Sequence, residues 1–259
     1  MEKEPLFNSL IAFIAFSLTT SAVYILNDYQ DIEEDKNHPK KKNRPLASGT
    51  VSKSQAILIM SILLVMAVTI MAMLSSPATG ILMFYVIMNF AYSFFLKNVA
   101  IVDITIIAIG FILRLFVGSV VTGIELSGWI IIMTFLLSIF IALAKRRDDL
   151  LIYLNTEKKM RQVIDGYNIK FLDTSMAIMA AVVIVAYTNY TLSSEVLLRV
   201  HDENLYLTSF FVVLGIMRYL QLTFVFESSG SPTRVLLKDR FIQMTLIGWI
   251  ATFFYMLYC

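Results

Sequence analysis

Eight apolar segments, at roughly 7-26, 54-74, 79-96, 101-121, 128-144, 173-192, 206-226 and 241-258, constrain the fold of this 259-residue chain more than any other feature. A hydrocarbon core of about 30 Å takes about 20 residues of helix, and every backbone polar group inside it must be satisfied within the segment or by its neighbours. The fold class is therefore expected to be all-α, a polytopic membrane helical bundle with eight spans. The composition agrees, with 58% hydrophobic and 15% charged residues, far from the balance of a water-soluble domain.

Lys and Arg gather in the loops that follow the odd-numbered segments. Six lie within 27-53, one is Lys97, seven lie within 145-172 and three within 227-240, whereas the opposite loops hold only Lys3 and Arg199. By the positive-inside rule the four basic loops are cytoplasmic and both termini face out. The first segment lacks a basic leader and a small-residue cleavage site, so it reads as a retained helix. A single membrane domain over 1-259 is the simplest division, although the long loops at 27-53 and 145-172 suit a pairing of two four-helix halves. The expected localisation is integral to the cell (inner) membrane. Membrane lipid is an expected partner and nucleic acid is not, because the basic residues lie at a membrane face. Cys259 is the one cysteine, which excludes an internal disulfide and a cysteine-based metal site.

Chemistry concentrates where the first span meets its loop, in Asn27-Asp28-Tyr29-Gln30-Asp31-Ile32-Glu33-Glu34-Asp35. On a helix, Asp28, Asp31 and Asp35 follow at steps of three and four, so their carboxylates share a face and repel one another unless a cation lies between them. The negative end of the helix dipole disfavours acids there for the same reason. Hard oxygen ligands suit Mg²⁺, which takes one or two protein carboxylates and completes its shell with water and substrate phosphate. The loop then turns basic, and Lys41 and Arg44 are placed to take up the remaining charge of a diphosphate. For the lysines alone, a solvated juxtamembrane loop is an equal reading.

A second cluster, Lys145-Arg146-Arg147-Asp148-Asp149, follows the fifth span on the same side of the membrane. A stop-transfer flank explains its bases but not its acids. The two clusters are expected to close on one substrate, with Asp149 or Asp148 toward a metal and Lys145 and Arg147 toward phosphate. In the fourth span, Asp103 and Arg114 are eleven residues apart and share one face, and ionisable residues at that depth mark a functional cavity by default. Arg114 lies about 16 Å further along the helix than Asp103, too far for a direct pair. A structural pairing of Arg114 or Arg218 with another helix is the rival reading. Asp239 reads as the cap of the last span, and Gly230 and Pro232 as a turn before it.

Asn27-Asp28-x-x-Asp31-x-x-x-Asp35 resembles the first aspartate-rich signature of the UbiA superfamily of intramembrane prenyltransferases, all-helical enzymes whose Mg²⁺-diphosphate site faces the cytoplasm. His38-Pro39-x-Lys41-x-x-Arg44-Pro45-x-Ala47-x-Gly49, Tyr92-Ser93-x-x-Leu96-Lys97, Gly110-Phe111-x-x-Arg114, Lys145-Arg146-Arg147, Arg218-Tyr219 and Gly230-Ser231-Pro232 are similar to its polyprenyl-phosphate phosphoribosyltransferase branch. The resemblance runs from Ser21 to Trp249. It implies a Mg²⁺-dependent transferase joining phosphoribosyl pyrophosphate to a polyprenyl phosphate, with a place in cell-envelope biosynthesis. Asp28, Asp31 and Asp35 would hold the metal and, with Asp149, form the catalytic set. Asn27, Lys41, Arg44, Tyr92, Lys97, Asp103, Arg114, Lys145 and Arg147 would bind substrate. In place of the superfamily's usual second Asp-x-x-x-Asp signature stands the mixed cluster at 145-149, which fits the phosphoribosyl branch. That family has nine spans, so the resemblance also implies that its first has no counterpart here.

The acceptor phosphate is already anionic at neutral pH, so no general base is required and His38 reads as a loop residue. The competitors are a prenyltransferase acting on an aromatic acceptor, a transporter lined by Asp103, Arg114 and Arg218, and a non-catalytic lipid-binding protein. Assembly as a homo-oligomer is left open by the sequence.

Overall fold

The computed structural model describes residues 3-36, 41-156, 162-200, 202-227 and 232-258. His38, Pro39, Gly230, Ser231 and Cys259, singled out above, lie outside them. The regular structure of the described residues is all helix, without a strand. Among the described residues eight helices are long and apolar enough to cross a membrane, and they match the eight expected segments. The chain divides into two compact units, Met1–Ile131 with Lys158–Gly166, and Ile132–Glu157 with Tyr167–Cys259.

The first unit holds α1 (Lys3–Gln30), the short α2 (Ile32–Lys36), α3 (Lys53–Leu74), α4 (Ser76–Phe94) and α5 (Val102–Thr122). The contact of α1 with α3 is the most extensive in the chain. Ala12, Ala15, Thr19 and Ala22 recur at steps of three and four on α1 and are buried, as are Ala56 and Ala67 on α3. Small residues are what allow two helix backbones to approach closely inside a bilayer, where no hydrophobic force drives them together. Phe16, Val23, Met71, Leu82, Tyr85 and Val117 complete the core. Ser52 and Gln55 form a reciprocal capping box that starts α3, satisfying two amide groups at its mouth. Gly123, at φ 70°, ends α5 in the left-handed conformation that an ordinary side chain resists.

The second unit begins in α6 (Gly128–Thr156) and continues through α7 (Ile169–Leu192), α8 (Ser194–Val200), α9 (Ser209–Phe224), α10 (Pro232–Lys238) and α11 (Arg240–Tyr258). Hydrogen bonds between side chains cross its interior. Trp249 Nε1 donates to Tyr187 Oη at 2.6 Å, and Tyr187 Oη lies 2.9 Å from Thr208 Oγ1, tying α11 to α7 and to the turn before α9.

Two expectations are corrected. The cluster at 145-149 does not open a loop: α6 continues to Thr156, because Lys145 to Asn155 contains no Gly or Pro and Arg146 pairs with Asp149 at i,i+3. The segment after residue 231 is not only a turn, since Pro232 opens α10 at the first helical position, where its missing N–H costs nothing. Asp239 does cap α11, accepting from the Ile242 N–H at 3.0 Å.

Candidate active site

Asn27 and Asp28 lie in the last turn of α1, the helix is interrupted by a turn at Asp31, and α2 carries Asp35. The helical hydrogen-bond path nonetheless runs through the break, with Asp31 N bonded to Asn27 O at 3.0 Å and Asp35 N to Asp31 O at 2.7 Å. The acids therefore keep their one-turn spacing. A 3-10 turn, Lys41–Asn43, then folds the basic segment back, closed by Arg44 N to Lys41 O at 2.8 Å and Val51 N to Pro45 O at 3.0 Å. Gly49, at φ 79°, makes the reversal possible.

The return delivers one nitrogen to two carboxylates. Arg44 Nη1 donates to Asp28 Oδ1 and to Asp35 Oδ2, both at 2.8 Å. Asp35 is 2% exposed, and Lys41 Nζ stands 3.8 Å from its other oxygen. A carboxylate so buried is tolerated only with such partners, since removing an ion from water costs several kcal/mol. Asp31 turns elsewhere, to Lys97 Nζ at 2.5 Å, from the 3-10 turn Leu96–Asn98 after α4. Asn27 is held by Ser93, whose hydroxyl donates to Asn27 Oδ1. Each of the three aspartates thus meets a cation, and Asp28 and Asp35 meet the same one.

That shared point is the fit for a metal. A cation at the position of Arg44 Nη1 is flanked by one oxygen from each of two acids, the one-or-two-carboxylate donor set that Mg²⁺ uses when substrate phosphates complete its shell. Among the described residues no three His, Cys, Asp or Glu side chains converge as a ready-made cage. Asp28 and Asp35 suit the ion as a pair, with Asp31 one turn between them held toward Lys97.

The remaining expected residues fall as follows. Tyr92 is buried on α4, and Asp103 is fully buried in the first turn of α5. Among the described residues no acid pairs with Arg114: its guanidinium stands 5.4, 5.7 and 4.8 Å from the ring centres of Phe16, Tyr85 and Phe111, and Nη2 is 3.4 Å from Tyr85 Oη. It lines a cavity of about 350 Å³ with Phe13, Ser17 and Thr20 of α1. Arg218 is a structural pair, bound to Asp239 at 2.8 Å. In the second unit Lys145 is exposed, Arg146 is buried against Asp149 at 2.9 Å, and Arg147 is buried between Asp173 Oδ1 at 2.6 Å and the Thr223 carbonyl at 2.8 Å. Ser93 and Asp173 carry no role in the sequence reading. Asp173 had a signal, as an acid inside a span, while Ser93 had only its place beside Tyr92.

The family model described as the UbiA prenyltransferase family matches residues 2–247. The decaprenyl-phosphate phosphoribosyltransferase of Mycolicibacterium smegmatis is 30% identical over 248 residues, covering 93% of this chain and 78% of that protein. The protein of the same name from Corynebacterium glutamicum is 28% identical over 244 residues, covering 93% and 73%. A UbiA homolog from Archaeoglobus fulgidus, solved bound to DMAPP and Mg²⁺, superposes with a TM-score of 0.71 over 96% of this chain and 87% of that one. At 16% identity this likeness speaks for the fold alone.

Proposed function

Because this integral membrane chain belongs to the UbiA prenyltransferase family, we propose that it is a Mg²⁺-dependent transferase that moves the 5-phosphoribosyl group from phosphoribosyl pyrophosphate to a polyprenyl phosphate, releasing pyrophosphate. The observation that carries this reading is the convergence of Asp28 and Asp35 on one cationic point, with Arg44, Lys41 and Lys97 around it. Carboxylates for a metal and bases for phosphate, side by side, fit a metal-diphosphate and little else. The site is assigned to the cytoplasmic face of the cell membrane, on the charge asymmetry of the loops. The phosphoribosyl group, rather than a prenyl group, is chosen on the relatives named for it across 93% of the chain and on the mixed cluster at 145-149.

Asp28 and Asp35 would hold Mg²⁺, which supplies Lewis-acid stabilisation of departing pyrophosphate. Arg44 and Lys41 bind diphosphate oxygens, and the Ser93 hydroxyl holds the Asn27 side chain through its Oδ1. Lys97 holds Asp31 as the counter-charge of the site. The bond from ribose C1 to the pyrophosphate oxygen breaks, and an oxygen of the acceptor phosphate forms the new bond to C1. That oxygen already carries negative charge, so no side chain has to remove a proton. In the second unit, Lys145 is assigned to phosphate on its charge and exposure; Asp149 pairs with Arg146, and Arg147 with Asp173.

The test is to supply the purified protein with labelled phosphoribosyl pyrophosphate, a polyprenyl phosphate and Mg²⁺. A lipid-linked ribose phosphate is expected, and none after chelation. Failure to form it, together with transfer of a prenyl group from a prenyl diphosphate to an aromatic acid, overturns the choice of substrates.

A further inference from the structure

Arg44 contributes one nitrogen to the acids and keeps the rest. Both hydrogens of Nη1 are taken up by Asp28 Oδ1 and Asp35 Oδ2, each at 2.8 Å, and no other side-chain partner of its guanidinium exists among the described residues. Of the five N–H donors of a guanidinium, three therefore stay available on Nη2 and Nε. The side chain is more than a third exposed, so those donors are reachable. Asp35, by contrast, is almost wholly enclosed and depends on Arg44 and Lys41 for its charge balance.

A divalent ion bound by the same two oxygens competes directly with Nη1, since two cations cannot occupy one point between two carboxylates. A bare ion entering alone would expel the guanidinium and leave it with no anion. A diphosphate arriving with the ion changes that balance, because Arg pairs with phosphate oxygens through parallel charge-assisted hydrogen bonds. We infer that Arg44 makes this site selective for a metal-diphosphate over the bare divalent ion, by occupying the shared point between Asp28 and Asp35 until a diphosphate gives it another partner. Cation and diphosphate then bind with positive coupling, and the coupling is reciprocal. The inference rests on the metal-diphosphate reading of the site but not on the identity of the acceptor or of the transferred group.

The experiment is equilibrium dialysis of the whole protein in detergent with Mn²⁺ as probe, with and without inorganic pyrophosphate, for wild type, Arg44→Gln, Arg44→Lys and Asp28→Asn, each monodisperse by gel filtration. Wild type is expected to bind Mn²⁺ weakly alone and far more tightly with pyrophosphate. Arg44→Gln is expected to bind Mn²⁺ alone about tenfold more tightly, as befits loss of a competing charged hydrogen bond, and to lose most of the gain from pyrophosphate. Arg44→Lys keeps the charge and should stay near wild type with Mn²⁺ alone, which separates competition from damage to the fold. Asp28→Asn should bind poorly in every condition. Arg44→Gln binding bare Mn²⁺ no more tightly than wild type, or keeping the full pyrophosphate effect, overturns the inference. Failure of phosphoribosyl transfer would leave these results standing, so the two readings fail separately.

Discussion

Lys97 reaches Asp31 across 66 residues of sequence and joins the turn after α4 to the end of α1 through one ion pair. Both side chains are one-fifth exposed, so neither charge is fully released to solvent. Lys97→Met strips Asp31 of this partner, and a lost charged hydrogen bond costs about 1.5–3 kcal/mol. Turnover should fall by roughly ten- to a hundredfold on that scale, and Lys97→Arg should recover much of it. Steady-state assays of the two variants side by side check this, and equal losses in both would dismiss charge as the cause.

Asp28→Asn and Asp35→Asn each remove the negative charge of one of the two acids at the shared cationic point. Turnover is expected to drop by about two orders of magnitude or more, since a Lewis-acid metal supplies several kcal/mol. Membrane insertion and yield should be unchanged for Asp28→Asn. Wild-type rates in either variant would dismiss the metal assignment.

Gly166 has no room for a side chain. A Cβ there would come within 2.6 Å of the Ala100 Cβ, and Ala100 begins the approach to α5. Gly166→Ala is expected to destabilise the protein by about 1–3 kcal/mol, the usual cost of overpacking, and Ala100→Gly in the same chain should restore most of it. Thermal unfolding in detergent measures both, and an unchanged midpoint in the single variant would refute the contact.

Arg218 donates to the Asp239 carboxylate, and with the Ile242 N–H it holds that acid below its ordinary 3.8. A lowered acid stabilises the fold fully above its unfolded value, and the contribution is lost as the pH falls through the lowered one. The gap in melting temperature between wild type and Asp239→Asn should therefore hold from neutral pH down to about 4 and close below it. A gap that persists unchanged at pH 2 to 3 would contradict this.

Eight spans are legible in the sequence because length and hydropathy decide them almost alone. So is the spacing of Asp28, Asp31 and Asp35, which a helix imposes within two turns. What each acid does with its charge is not legible. Arg44 lies 16 residues from Asp28 and 9 from Asp35, and only the fold of the 41–51 segment decides that one nitrogen serves both. Arg147 shows the same limit, because its partner Asp173 is 26 residues away on another helix and its second partner is a backbone carbonyl. The end of α6 is hidden for a different reason: hydropathy marks where a span leaves the apolar region, and helix propensity marks where the helix stops.

At 29 residues α6 is about 43 Å long, against a hydrocarbon thickness of about 30 Å. Its charged turn at Lys145 to Asp149 thus rides on the same rigid rod as the apolar stretch that the lipid grips. Bilayer thickness then becomes a control variable: the apolar stretch 128-144 spans only about 25 Å, so a thicker bilayer is met by thinning of the lipid around it or by its charged flank reaching back to the headgroups. Reconstitution into lipids of different acyl length should shift those charges relative to the headgroups with no change to any side chain.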